Sequence, residues 1–159
     1  MLDAVKIGVK QVKTKHTLIV WGDLVGLDRV PWSRLLDNHL LATVPLTIGG
    51  YTNYDLSPDG RIDSISQARE GGEVSEYGMT DIGVFLFQTE WLKYWLNETP
   101  IEFCRGVKTK ELNFIPVLRY MEMVYHTIDT PILTQDEIPF GINTKEDAEA
   151  YEKLCLSSK

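Results

Sequence analysis

The stretch Thr17-Leu18-Ile19-Val20-Trp21-Gly22-Asp23 decides how this chain is read. An apolar run that ends in glycine and a carboxylate reads as a buried strand carrying an acid to its C-terminal end. In open α/β sheets, ligands bind outside the carboxyl ends of the strands. Gly22 before the acid lets a ligand approach closely, and Asp23 suits a hard cation such as Mg2+. Far away in sequence, Phe140-Gly141-Ile142-Asn143-Thr144-Lys145-Glu146-Asp147 reads as a tight turn into the last helix. The two segments read as halves of one metal-and-phosphate site, and no third segment reads as the holder of a nucleotide base.

Outward from that strand, periodicity places the other elements. Leu2, Val5, Val9 and Val12 recur at helical spacing, with Lys6, Lys10 and Lys13 between them, so residues 2–13 are expected to form an amphipathic helix with a solvated basic face. Residues 31–41 read as a helix with Pro31 in its first turn. Residues 42–48 are apolar and β-rich, with Pro45 marking a bend or an edge. Ser57-Pro58-Asp59-Gly60 is a turn, and residues 61–66 alternate like a half-buried strand. Residues 69–79 are polar and glycine-containing, a mobile loop by composition. Residues 82–87 read as a strand covered on both faces. Helices are expected at 89–97, with Trp91 and Trp95 in a core or an interface, and at 111–125. A late strand is expected at 127–133, and a last helix at 144–156, where Thr144 and Asp147 have capping-box spacing. Strands alternating with helices predict an α/β fold with a mixed, mostly parallel sheet.

The length of 159 residues suits a single domain over 1–159. The apolar fraction of 43% is that of a globular chain. A formal charge of -7 argues against a nucleic-acid partner, whose binding protein needs a basic surface. No apolar run is long enough to cross a bilayer, and Met1 leads into a charged periodic segment rather than a signal peptide. A soluble, reduced, cytoplasmic protein is expected, with Cys104 and Cys155 as free buried thiols. His16, His39 and His126 share no ligand spacing, and no Ser-His-Asp or Cys-His constellation arises from spacing.

The order of these segments resembles the back two-thirds of a sugar-phosphate nucleotidyltransferase, of the kind found in N-acetylglucosamine-1-phosphate uridylyltransferase and MobA-like NTP transferases. The resemblance is carried by Trp21-Gly22-Asp23, Asp59-Gly60-Arg61-Ile62, Arg69-Glu70, Asp81-Ile82-Gly83-Val84-Phe85, Glu111-Leu112-Asn113-Phe114 and Gly141-Ile142-Asn143-Thr144. It implies a partial GT-A-like nucleotide-diphospho-sugar transferase fold. It implies that Asp23 and Asn143 hold Mg2+ and carry the chemistry, with an NTP and a sugar phosphate as partners. The implied reaction is attack of a phosphate oxygen on the α-phosphorus of the NTP, releasing pyrophosphate, which depends on positioning and charge neutralisation. The resemblance further implies a substrate side formed by Gly22, Glu70, Thr80, Asp81, Glu111 and Asn113. Asn113-Phe114 departs from the aromatic-rich version of the acceptor motif.

The front of the family pattern is not found. Its members begin with a strand and a glycine-rich loop carrying a basic residue, whose amides cradle the triphosphate. Neither Gly49-Gly50 nor Gly71-Gly72 follows a first strand in that way. The chain is therefore expected to be a truncated form of such a domain, inactive alone. Strand 17–21 would then be an open apolar edge, and self-association is expected, edge to edge or through apolar surface that the absent half would have covered. The rival reading is a non-catalytic module that binds a nucleotide-sugar or a protein. A GT-A glycosyltransferase would want an Asp-x-Asp metal motif, where this chain has Gly22-Asp23-Leu24-Val25.

Overall fold

The structure, a computed structural model, describes residues 1–36, 41–125 and 128–157. In chain order the elements are α1 (Leu2–Val9), β1 (His16–Val20), β2 (Leu24–Val25), α2 (Trp32–Leu36), β3 (Ala42–Thr43), β4 (Leu46–Ile48), β5 (Thr52–Leu56), β6 (Ile62–Gln67), β7 (Met79–Asp81), β8 (Val84–Gln88), α3 (Thr89–Glu98), α4 (Ile115–Tyr125), β9 (Ile128–Asp129), β10 (Phe140–Gly141) and α5 (Lys145–Ser157). Residues 37–40 of the expected second helix, with His39, lie outside the described residues, as do His126 and Thr127.

The strands form a four-stranded sheet in the order β1-β8-β3-β9, a second four-stranded sheet in the order β4-β7-β5-β6, and the two-stranded ladder β10-β2. Helices flank a mixed sheet, as the sequence indicates, but the described ladders are mostly antiparallel. Only β3 with β9 and the bridge from Leu46 to Ile132 run parallel. The physical reason is local: β5 and β6 are joined by the Ser57–Gly60 turn, and a tight turn can only join antiparallel strands. β1 and β8 are antiparallel as well, in register from His16 opposite Gln88 to Val20 opposite Val84.

Two paired crossings connect the large sheets. Pro45 turns the chain from β3 in one sheet to β4 in the other. It cannot donate to a ladder, which suits the bend expected of it. Opposite it, Ile82-Gly83 carries the chain from β7 back to β8, with the Ile82 N–H bonded to the Pro45 carbonyl at 3.3 Å. Gly83 has φ +75° and a Cβ there would lie 2.6 Å from Trp21 Cδ1, so both backbone and packing demand glycine. This crossing holds Trp21 and the end of β1 in place, since the Trp21 N–H donates to the Gly83 carbonyl at 2.9 Å.

β8 is buried on both faces, as its continuous apolar sequence predicts. One face packs with α1, α3 and α4 around Phe85, Phe87, Leu92, Trp95, Phe114 and Leu118. The other packs Val84 and Leu86 against Val30, Leu35 and Leu133. Trp21, Phe85, Phe87 and Phe114 form edge-to-face contacts with centroids 5.0–6.4 Å apart, geometry that suits aromatic quadrupoles. Trp95 is buried in the core beside Trp91, and neither indole N–H finds an acceptor. Cys104 is buried, and its thiol is pushed up by burial, but Cys155 is exposed, contrary to expectation, because the outer face of α5 is solvated. Among the described residues, no helix is long and apolar enough to cross a membrane.

Candidate functional site

The C-terminal end of β1 opens onto a cavity of about 620 Å3. Asp23, Thr80, Asp81 and Asn143 all line it, together with Trp21, Tyr51 and Arg69. Asp23 and Asn143 meet because β2 and β10 pair, Leu24 opposite Gly141, and because the Ile142 N–H donates to the Asp23 carbonyl at 2.8 Å. That short ladder brings the two segments singled out in the sequence to one rim. Gly22 sits exposed beside them with nothing within 4 Å of a Cβ, so the fold itself does not demand glycine there.

Asn143 is set by the start of α5. The Asn143 and Thr144 N–H groups donate to Asp147 Oδ2 at 3.0 and 2.8 Å, and the Asp147 N–H donates to Thr144 Oγ1 at 3.1 Å. This is the capping box that the spacing predicts. The N–H of Asn143, then that of Thr144 and its hydroxyl, hold the Asp147 carboxyl below its ordinary range. The turn is thereby fixed while the Asn143 side chain is left exposed. Among the described residues, neither the Asp23 carboxylate nor the Asn143 amide is taken up in a hydrogen bond or ion pair.

Asp81 lies deeper. It accepts from Tyr54 Oη at 3.1 Å and from the Gly83 N–H at 3.0 Å. Burial raises its carboxyl above the ordinary range, and the Gly83, Tyr54 and Trp21 donors offset part of that shift. Tyr54 is pushed well up in turn, first by burial and then by the Asp81 charge. Thr80, next to it, accepts the Thr52 N–H at 3.4 Å through Oγ1.

Glu70, Glu111 and Asn113 are not among the residues lining the cavity. Glu70 is turned into the loop 106–113: its carboxylate accepts the Lys108 and Thr109 N–H groups at 3.0 and 3.1 Å, the Thr109 hydroxyl at 2.6 Å and Asn113 Nδ2 at 3.1 Å. The Thr109 hydroxyl first, then the other donors, lower its pKa from 4.5 to about 2. Gly106 leaves room for this clasp, since a Cβ there would lie 2.5 Å from both Glu70 oxygens. Helix α4 starts at Ile115, so Glu111 and Asn113 lie in the extended segment before it, not in the first turn that the sequence implied. The reason is that Arg105 and Leu112 bridge and the Asn113 N–H donates to the Cys104 carbonyl, which holds the backbone extended.

Arg69 is the cationic side chain among the residues lining the cavity, and sequence reasoning assigned it no role there. Its side chain bonds Asn113 Oδ1 and, at 3.2 Å, Glu111 Oε2, so those two acceptor-motif residues reach the cavity only through it. Its Nε lies 3.5 Å from Glu70 Oε1 without hydrogen-bond geometry and has no acceptor. The Arg69-Glu70 pair was visible in the sequence. Which of the two adjacent side chains faces the cavity depends on the strand-to-turn geometry after β6, which periodicity cannot supply.

The donor set on the rim is a carboxylate and an amide, both oxygen donors that are free to bind. Among the described residues there is no group of three His, Cys, Asp or Glu side chains that would form a protein-only metal cage. Mg2+ commonly keeps several waters and takes one or two protein oxygens plus substrate phosphates, and the rim fits that pattern.

No protein-family model and no curated protein matches the sequence. Solved structures do. A Bacillus anthracis protein described as a glucose-1-phosphate thymidylyltransferase, in complex with a sucrose, superposes with TM-score 0.62 at 13% identity over 97% of this chain and 60% of its own. HddC from Yersinia pseudotuberculosis gives 0.61 at 15% identity over 100% and 62%. The inositol-1-phosphate CTP transferase from T. maritima gives 0.64 at 13% identity over 94% and 59%. This chain thus spans about 60% of the length of the structures it matches. The fold is nucleotide-diphospho-sugar transferase-like, shared with sugar-phosphate nucleotidyltransferases.

Proposed function

We propose that this chain supplies the metal-holding and acceptor side of a sugar-phosphate nucleotidyltransferase site. The observation that carries the reading is the β2–β10 ladder, which brings Asp23 and Asn143 to the wall of one cavity that Asp81 also lines. Asp23 and Asn143 would hold Mg2+, which when bound would neutralise charge on the phosphates. Asp81, with lone pairs left over after Tyr54 and Gly83, would accept hydroxyl donors of the sugar. Arg69 would face the sugar phosphate as the cationic side chain of the wall. Trp21, Ile82, Ile115 and Ile138 would cover apolar parts of the ligand and exclude water from one side.

The reaction supported by this arrangement joins an oxygen of the sugar phosphate to the α-phosphorus of an NTP, and the bond to the bridging oxygen breaks to release pyrophosphate. Such chemistry draws on alignment and charge stabilisation rather than on a protein nucleophile. It also needs a cradle for the triphosphate, and this reading assigns that role to neither glycine pair. The chain alone is expected to bind.

Thermal shift with Mg2+ and a UDP- or CDP-sugar tests this. A rise in Tm that needs the metal and vanishes in Asp23→Ala supports the reading. No shift with any nucleotide or nucleotide-sugar overturns it in favour of an interaction module that takes neither.

A further inference from the structure

The side chains described along the cavity wall carry two acids, Asp23 and Asp81, against one cation, Arg69. Arg69 already lies 3.2 Å from Glu111 and 3.5 Å from Glu70, so its charge is shared before any ligand arrives. Asp23 stands on the rim, where the proposed function gives it to a divalent cation. Asp81 is left. Among the described residues its partners are the Tyr54 hydroxyl at 3.1 Å, the Gly83 N–H at 3.0 Å and the Trp21 indole, and none of these donors is charged.

A ligand that fills the cavity excludes solvent from Asp81. If it offers the carboxylate only a hydroxyl, a buried charge stays uncompensated, which is costly. If it offers an ammonium, the same contact is a charge-assisted hydrogen bond and the charge is neutralised. The wall favours a cation in a second way. Because the Trp21 side chain bonds to Asp81, the indole ring sits directly beside the carboxylate, and Tyr51 lines the same cavity. Aromatic rings attract ammonium groups, quaternary ones included, through their quadrupoles. Gly83 fixes acid and ring together: its N–H donates to Asp81 Oδ1, and its carbonyl accepts the Trp21 backbone N–H at 2.9 Å.

We propose that Asp81 and Trp21 receive an ammonium group, so that the acceptor of this site is a phosphate ester that also carries a positive charge away from its phosphate. The inference rests on the nucleotidyltransferase reading, in which Arg69 and the metal face the phosphate. Amino sugar phosphates and amino alcohol phosphates share this chemistry, and the experiment separates them.

Isothermal titration calorimetry with Mg2+ present compares two matched pairs of probes. One pair is glucosamine-1-phosphate and glucose-1-phosphate. The other is phosphocholine and its carbon analogue, in which a tert-butyl group replaces the trimethylammonium. The protein is expected to bind the charged member of one pair about tenfold more tightly than the neutral member, the scale of one charged contact. The pair that shows the preference identifies an amino sugar or an amino alcohol. In Asp81→Asn the preference should vanish, with an unchanged far-UV circular dichroism spectrum showing that the fold is kept. The wild-type comparison stands whether or not that variant folds. Equal affinity within both pairs, or a preference that Asp81→Asn leaves intact, overturns this inference and leaves the metal-dependent binding of nucleotide-sugars standing. No binding of any probe also overturns it, and the Asp23-dependent thermal shift then tells whether the proposed function falls with it.

Discussion

Two carboxylates of this chain are shifted in opposite directions for opposite reasons. Glu70 is surrounded by donors, so its charged form is favoured and its pKa falls to about 2. Asp81 is buried with fewer donors than its charge needs, so its pKa rises. Glu70 therefore contributes stability that is fully present above its unfolded pKa, about 4.3, and that is lost as pH falls toward about 2. Glu70→Gln is expected to lower Tm at neutral pH by loosening the loop 106–113. The gap between wild type and variant should narrow steadily between about pH 4.5 and pH 2. Melting curves over that range decide it, and a gap independent of pH would mean that the carboxylate charge does not hold the loop. At this scale the sequence was a partial guide. It singled out Glu70 and Asp81 together, and of the two only Asp81 lines the cavity. It could not say that one is taken up by the Lys108 and Thr109 N–H groups while the other lines the cavity hydrogen-bonded to Tyr54, because both facts belong to packing between elements.

Elements with strong local signals were legible, and elements made by distant partners were not. α3 matches its expected range within a residue, and β8 reads as buried from its unbroken apolar run. β2 and β10 have two residues each and no periodicity of their own, and they exist because they pair with one another. The mostly parallel expectation failed for a related reason, since alternation of strands and helices along the chain says nothing about which strand a given strand finds. α5 shows what a local signal is worth. Its capping box satisfies N–H groups that the helix leaves unpaired, and it fixes the turn that presents Asn143. Thr144→Ala is expected to cost about 1 kcal/mol of stability. Because the same box positions Asn143, this variant should also shrink the metal-dependent thermal shift with a nucleotide-sugar. A variant that loses stability yet keeps the full ligand-induced shift would detach the cap from the site.

At the scale of the whole molecule, the candidate site hangs on a two-stranded ladder separate from the two larger sheets. β8 is paired on both sides and packed on both faces, by β1 and β3 and by the two hydrophobic clusters. The β2–β10 ladder is an isolated pair of two-residue strands, and a lone short ladder is marginal without packing from a neighbour. It is held by Leu24, which packs against the second hydrophobic cluster, by the Phe140 ring against Tyr151 of α5, with centroids 5.8 Å apart, and by the bond from the Ile142 N–H to the Asp23 carbonyl. Opening of this ladder separates Asp23 from Asn143 while β8 stays paired on both sides, so the rim is expected to form and break many times for each global unfolding event. Hydrogen exchange should show this as fast exchange at the Ile142 amide and slow exchange along β8 in the free protein. Mg2+ with a nucleotide-sugar should slow Ile142 selectively, because a ligand that bridges Asp23 and Asn143 binds only the closed ladder and shifts its population by mass action. Protection at Ile142 equal to that of β8 before any ligand is added would show a rigid, preformed rim, and the ligand would then have no ladder to close.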